Sequence, residues 1–197
     1  MKKCAFILVL AVLFTLTVQA EVRAEDTVYA LEGHFSLSVP SGCPVIMQDT
    51  PSDAPVFDLL GVSRDEFYET GVLTDLALIA YSADFEDVFC VRVVEDADYG
   101  DFADAGDFAL NVIAYTVRMS SGFLDMDIHR HEIYKHAQTR LLKFGFTDET
   151  DGKSGTMYIT CMGKTAFYFL FLSDTGRFEG KSPDKLIDGI IFENAAD

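Results

Sequence analysis

The chain has 197 residues, with 32 Asp and Glu against 15 Lys and Arg, a formal net charge of −17 at pH 7. That balance argues against binding to nucleic acid or anionic membranes, which rests on Lys and Arg meeting phosphate. With 49% hydrophobic and 13% aromatic residues, the chain is too apolar to be disordered and long enough for one domain with its own core.

Lys2 and Lys3 stand before an apolar run over residues 5–18, and Val18-Gln19-Ala20 and Val22-Arg23-Ala24 each offer a small-residue cleavage site. The run is well short of the ~20 residues that a spanning helix needs. Residues 1–24 are therefore expected to be a signal peptide cut after Ala20 or Ala24. Residues 25–197 are expected to be one secreted, soluble domain with no stable membrane insertion. Cys4 precedes the apolar run, whereas a lipoprotein needs its cysteine just after it. Cys43, Cys90 and Cys161 remain, which permits at most one internal disulfide. Cys90 and Cys161 fall in predicted strands, where a cysteine acts as a small apolar residue.

Residues 21–33 read as a short leader. Phe35, Leu37 and Val39 alternate with polar residues and predict a half-buried strand over 34–39. Pro40-Ser41-Gly42-Cys43-Pro44 is a turn, and 45–48 is expected to return as the hairpin partner of that strand. Residues 50–55, with Pro51 and Pro55, read as a loop. Ser63 and Glu66 have capping-box spacing and predict a short helix that Gly71 closes. Residues 73–81 and 88–94 predict two strands around an acidic turn. An acidic connector over 95–107 follows. Phe108, Val112, Tyr115 and Met119 then recur at i, i+4, i+7 and i+11, the core stripe of an amphipathic helix. Leu110, Ile113 and Val117 widen that stripe, and Gly122 is its stop.

The last third is rich in strands. Residues 125–134 and 137–146 can pair about Lys135 and His136. After the loop 147–154, residues 155–173 read as two strands joined at Met162-Gly163-Lys164. Phe167, Phe169 and Phe171 would share one face, with Tyr168, Leu170 and Leu172 on the other. A strand apolar on both faces needs cover on both, which predicts a central place in a layered domain. Ser182-Pro183 supplies an N-cap and first-turn proline for a closing helix with Leu186, Ile187, Ile190 and Ile191 on one face. This helix and the one beginning near Phe108 are available to cover the two sides. Strands that come in hairpins predict an α+β class, with a mostly antiparallel sheet built from hairpins and covered by two or three helices.

The chain resembles the PsbP-like group of small α+β domains, and especially its exported bacterial members of unassigned function. Four features carry the resemblance: the opening Gly33-His34-Phe35-Ser36-Leu37-Ser38-Val39-Pro40, a helix before a late antiparallel set, the hairpin around Gly163-Lys164, and the ending Leu186-Ile187-Asp188-Gly189-Ile190-Ile191-Phe192. Such domains commonly place an aromatic, often tryptophan, after the proline-glycine turn. Here Cys43-Pro44 stands there, and the chain has no tryptophan. The resemblance implies a fold and supplies no site residues, and the photosynthetic role of the plant relatives does not come with it.

The best candidate for chemistry is Asp125-Met126-Asp127-Ile128-His129-Arg130-His131. A regular strand projects Asp125, Asp127, His129 and His131 to one face, where two imidazoles and a carboxylate could hold a divalent metal such as zinc. The competing reading is a solvated polar face. The connector around Asp96 fails as a calcium loop, because its sixth and twelfth positions are Asp101 and Asp107 in place of glycine and glutamate. Its acids more simply favour the amino end of the following helix. Gly152-Lys153-Ser154 lacks the earlier glycine of a phosphate loop and lies between strands. No serine has an elbow motif, and a nucleophilic pair of Cys161 with a histidine competes with a buried structural thiol. The expectation is an exported soluble non-catalytic module that binds a protein or small ligand, without a resident cofactor. The alternative is a metal-binding protein or metal-dependent hydrolase built on Asp127, His129 and His131.

Overall fold

The structure, a computed structural model, describes residues 26–31, 33–69, 76–119, 126–148 and 152–193. The elements run β1 (Thr27–Leu31), β2 (Phe35–Val39), β3 (Val45–Met47), α1 (Pro55–Leu60), α2 (Arg64–Glu69), β4 (Leu76–Tyr81) and β5 (Val88–Val94). Then come α3 (Asp107–Met119), β6 (Met126–Lys135), β7 (Arg140–Asp148), β8 (Ser154–Met162), β9 (Thr165–Leu172), α4 (Pro183–Asp188) and β10 (Ile191–Phe192). A seven-stranded sheet has the order β3-β4-β5-β9-β8-β7-β6, and a three-stranded sheet the order β1-β2-β10. Every pairing between these strands is antiparallel, so the α+β class stands. The expected signal peptide, Gly71, Gly122 and Asp125 lie outside the described residues.

β9 is the middle strand of the larger sheet, with β5 on one side and β8 on the other. The β8–β9 turn works because Gly163 takes φ +61, the left-handed geometry wanted at the first residue of a two-residue hairpin loop. Phe167, Phe169 and Phe171 enter one core with Phe35, Leu37, Val39, Leu186, Ile187 and Phe192. The small sheet and α4 thus form the cover on that side. Rings of Phe35 and Phe192 meet Phe169 edge to face at 5.9 and 6.1 Å, the geometry that aromatic quadrupoles favour. On the other side, Tyr168 and Leu170 border a second core of Leu110, Ala114 and Val117 from α3 with Leu142, Phe144 and Ile159. A third cluster sets Phe57 of α1 and Phe67 of α2 against Ile46 and Ile79 of the β3–β4 edge.

Several expectations change. Residues 27–31 are a strand, β1, which pairs with β2 from Thr27↔Val39 to Leu31↔Phe35. Residues 45–47 do not return beside β2. The turn after Val39 carries the chain across to the other sheet, where β3 pairs with β4 and Pro44 O accepts from Tyr81 N at 2.9 Å. Inside the stretch read as loop, Pro55 opens α1, its missing N–H costing nothing at the first helical position. The capping box is real: Ser63 N donates to Glu66 Oε2 at 2.8 Å and Glu66 N to Ser63 Oγ at 3.2 Å. α4 ends at Asp188, so Ile191 belongs to β10 and is exposed, while Leu186, Ile187 and Ile190 are buried.

Candidate functional site

The Asp127–His131 stretch lies in β6, but its alternation breaks. Between Ile128 and Arg130 the register with β7 slips by one residue, so Ile128 faces Phe146 and Arg130 faces Gly145. A bulge of this kind leaves one residue unpaired and turns everything after it to the other face. His129 stays with Asp127, Nδ1 to Oδ2 at 3.8 Å, and its Nε2 lies 3.5 Å from Thr147 Oγ1. His131 is turned towards α3, with Nε2 3.1 Å from Asn111 Oδ1 and its ring 6.1 Å from that of Phe144. The expected single face of Asp127, His129 and His131 therefore does not form. Among the described residues no group of three His, Cys, Asp or Glu side chains is placed to hold a metal ion.

The acidic connector is fastened by its own carboxylates. Asp101 Oδ1 accepts from Ala103 N at 2.8 Å, and its Oδ2 from Gly163 N at 3.2 Å. Glu95 accepts from Thr165 Oγ1 at 2.9 Å, and Asp107, the first residue of α3, pairs with Arg140. These contacts tie the approach of α3 to the β8–β9 turn. Cys43, Cys90 and Cys161, the cysteines among the described residues, are free thiols. Burial, with the Asp101 charge in second place, pushes the Cys161 thiol up to about 11. A thiol kept protonated at neutral pH is inert, which is the behaviour of a structural cysteine.

A polar cluster among the described residues joins the sheet to α4. Lys143 Nζ lies 2.8 Å from Asp184 Oδ1 and 3.0 Å from Glu132 Oε1, and Asp184 also accepts from Tyr158 Oη. Tyr134 Oη donates to Asp188 Oδ1 at 2.7 Å. Burial works to raise the Asp184 carboxyl, but the hydrogen bonds from Lys143 and Tyr158 outweigh it and hold the group below its ordinary value. Tyr158 is pushed well above the ordinary phenol value, by burial first and then by Asp184. The tyrosines stay neutral donors and Asp184 stays an anion, so the cluster latches α4 down without a group poised to exchange protons near neutral pH.

α3 supplies the main surprise. Phe108, Val112, Tyr115 and Met119, the stripe expected in the core, are 84%, 49%, 63% and 65% exposed. The buried residues are Leu110, Ala114 and Val117. At ~100° per residue these two stripes stand on opposite sides of the helix. Both have helical spacing, and the one containing Ala114 packs on the sheet, since a small residue lets the helix approach closely. Size was the signal that could have distinguished them. The outcome is a two-sided apolar helix with four large side chains facing solvent, a patch of the kind that marks an interaction surface. No described helix is long and apolar enough to cross a membrane.

No family model matches the sequence, and no curated protein does. Among solved structures, the solution structure of cyanobacterial PsbP from Synechocystis matches with a TM-score of 0.54 at 10% sequence identity. The match covers 90% of this chain and 98% of that one. A crystal structure from Bacteroides thetaiotaomicron covers 89% of this chain and 51% of its own, at 13% identity and a TM-score of 0.42. The Synechocystis match shows that the fold is PsbP-like.

Proposed function

We propose that this PsbP-like domain is an exported, non-catalytic docking module whose protein partner sits on the outer face of α3. The exposed stripe of Phe108, Val112, Tyr115 and Met119 carries the reading. Large rigid and flexible apolar side chains together on a regular helix are what a partner's groove or apolar face engages. Charge chooses the occupant. Asp104 and Asp107 flank the amino end of the stripe, on a chain of net charge −17. A second copy would bring two strongly acidic surfaces together, whereas an apolar face rimmed by Lys and Arg is drawn in.

The test is a photo-crosslinking residue at Tyr115 in the protein exported from its native cells, with the same residue at exposed Leu59 as a control. An adduct is expected at Tyr115 and not at Leu59, and it should disappear with Phe108→Glu or Met119→Glu. The identified partner, once purified, should bind the free domain with an affinity that falls as salt rises. An adduct with a second copy, equal adducts from both positions, or none from either would overturn the reading.

A further inference from the structure

Two of the arginines point into one cleft, and neither pairs with a carboxylate among the described residues. The cleft, of about 190 Å³, lies between the end of the larger sheet at β8 and β9 and the loop over 173–182 that leads to α4. Arg130, Arg177, Ser154, Thr156, Phe171 and Phe178 are among its walls, and none of the described residues lining it is acidic. In a chain with 32 acidic residues against 15 basic ones, a cleft with two guanidiniums and no carboxylate among its described walls inverts the surrounding charge. Other cations are engaged: Arg140 by Asp107, Lys143 by Asp184 and Glu132, Lys181 by Asp26.

The fold aims both groups. The β6 bulge that separates His129 from His131 also turns Arg130 away from α3 and onto the cleft side of the sheet. There it lies across Gly145, with Nε only 2.9 Å from where a Cβ would stand, and Gly145 pairs in turn with Thr156. The bare backbone of β7 is the passage by which Arg130 reaches the cleft. Arg177 is held by its loop. The buried Ser173 hydroxyl donates to Arg177 O at 2.7 Å and accepts from Arg177 N at 3.2 Å. Glu179, at φ +49, accepts from Ala83 N at 2.7 Å and pins the loop to the β4–β5 turn. Arg177 Nη1 donates to Gly180 O at 3.0 Å, which leaves its other guanidinium donors available.

We infer that this cleft binds a small organic oxyanion, a carboxylate or phosphate monoester, between Arg130 and Arg177, with an apolar or aromatic body against Phe171 and Phe178. Guanidinium forks match both head groups with paired, charge-assisted hydrogen bonds, and the Ser154 and Thr156 hydroxyls add donors. The volume, about 190 Å³, suits a head group with a short ring or chain. The site is on the face of the sheet opposite α3 and stands or falls independently of the docking surface.

Calorimetric titrations at constant ionic strength with phenyl phosphate, benzoate and inorganic phosphate test it. Saturable binding of phenyl phosphate or benzoate is expected, tighter than inorganic phosphate and weakened at least tenfold in Arg130→Gln and in Arg177→Gln. Whichever of the two aromatic anions binds identifies the head group. Gly145→Ala should also weaken binding while leaving the circular dichroism spectrum unchanged, because only the flexible Arg130 side chain has to move. No saturable binding of any probe, inorganic phosphate binding as tightly as the aromatic anions, or binding indifferent to both arginine substitutions would overturn the proposal.

Discussion

β9 and α3 are both apolar on two sides, and the molecule treats them oppositely. Phe169 on one face of β9 and Leu170 on the other each pack into a hydrophobic core, the first beneath β2, β10 and α4 and the second beneath α3. On α3 the Leu110 side is fully buried and the Phe108 side is in solvent. A central strand receives cover on both faces by its place in the sheet. A helix lying on the outside of a layered domain receives it on only one, so its second apolar stripe is free for something other than folding.

Breaking the covered element should have the largest effect. Phe169→Asp places a charge in a fully buried site among aromatic rings and aliphatic side chains. An unpaired buried charge costs several kcal/mol, comparable with the whole stability of a domain this size. No cooperative thermal unfolding transition is expected. Phe169→Ala, at about 3–5 kcal/mol, should leave a folded but weakened protein. A normal melting curve for the aspartate variant would remove β9 from the centre of the fold.

The two sides of α3 give the sharper contrast. Leu110→Ala should cost about 2–5 kcal/mol by the cavity it leaves. Phe108→Glu on the same helix should change stability by about 0.5 kcal/mol or less, as surface substitutions do. Urea denaturation of the pair measures both. Equal losses would mean that the Phe108 side is also part of the folded core, and the docking surface would go with it.

How legible this was in the sequence follows the same division. The alternation of Phe167, Phe169 and Phe171 sufficed to place β9, because a period of two leaves no choice of partner faces and both were apolar. The capping box at Ser63 and the proline start at Pro183 are local chemistry and could be read directly. What was not legible depended on pairing at a distance. Nothing in Val45-Ile46-Met47 says whether it returns to β2 or crosses to β4, since a short apolar strand suits either neighbour. The bulge before Arg130 leaves no mark in a stretch whose residues alternate properly, yet one slipped residue dispersed the expected metal face and aimed Arg130 elsewhere. On α3, two stripes of equal spacing differ only in side-chain size, and the small Ala114 marks the one that packs on the sheet.

The smallest expected effect tests whether the cover over β9 can be loosened without touching α3. His136 is buried with its ring 5.3 Å from Phe192, edge on, and Phe192 in turn lies over Phe167 and Phe169. Its Nδ1 accepts from Gln138 N at 3.2 Å, which requires the neutral imidazole. Burial lowers its pKa, outweighing the Ile190 carbonyl and the Asp188 charge, which favour the protonated form. The unfolded chain therefore takes up the proton first as pH falls below the ordinary histidine value of ~6.5. The stabilisation is complete above that pH and is lost as pH falls through the lower folded value. Between about pH 7.5 and pH 5, above the range where most carboxylates titrate, the melting temperature of the native protein should fall by more than that of His136→Gln. Fluorescence of a probe attached at position 115 should stay constant over the same range, since the outer face of α3 does not depend on β10. Identical pH profiles for the two proteins would show that the neutral imidazole over Phe192 contributes nothing to holding the cover in place.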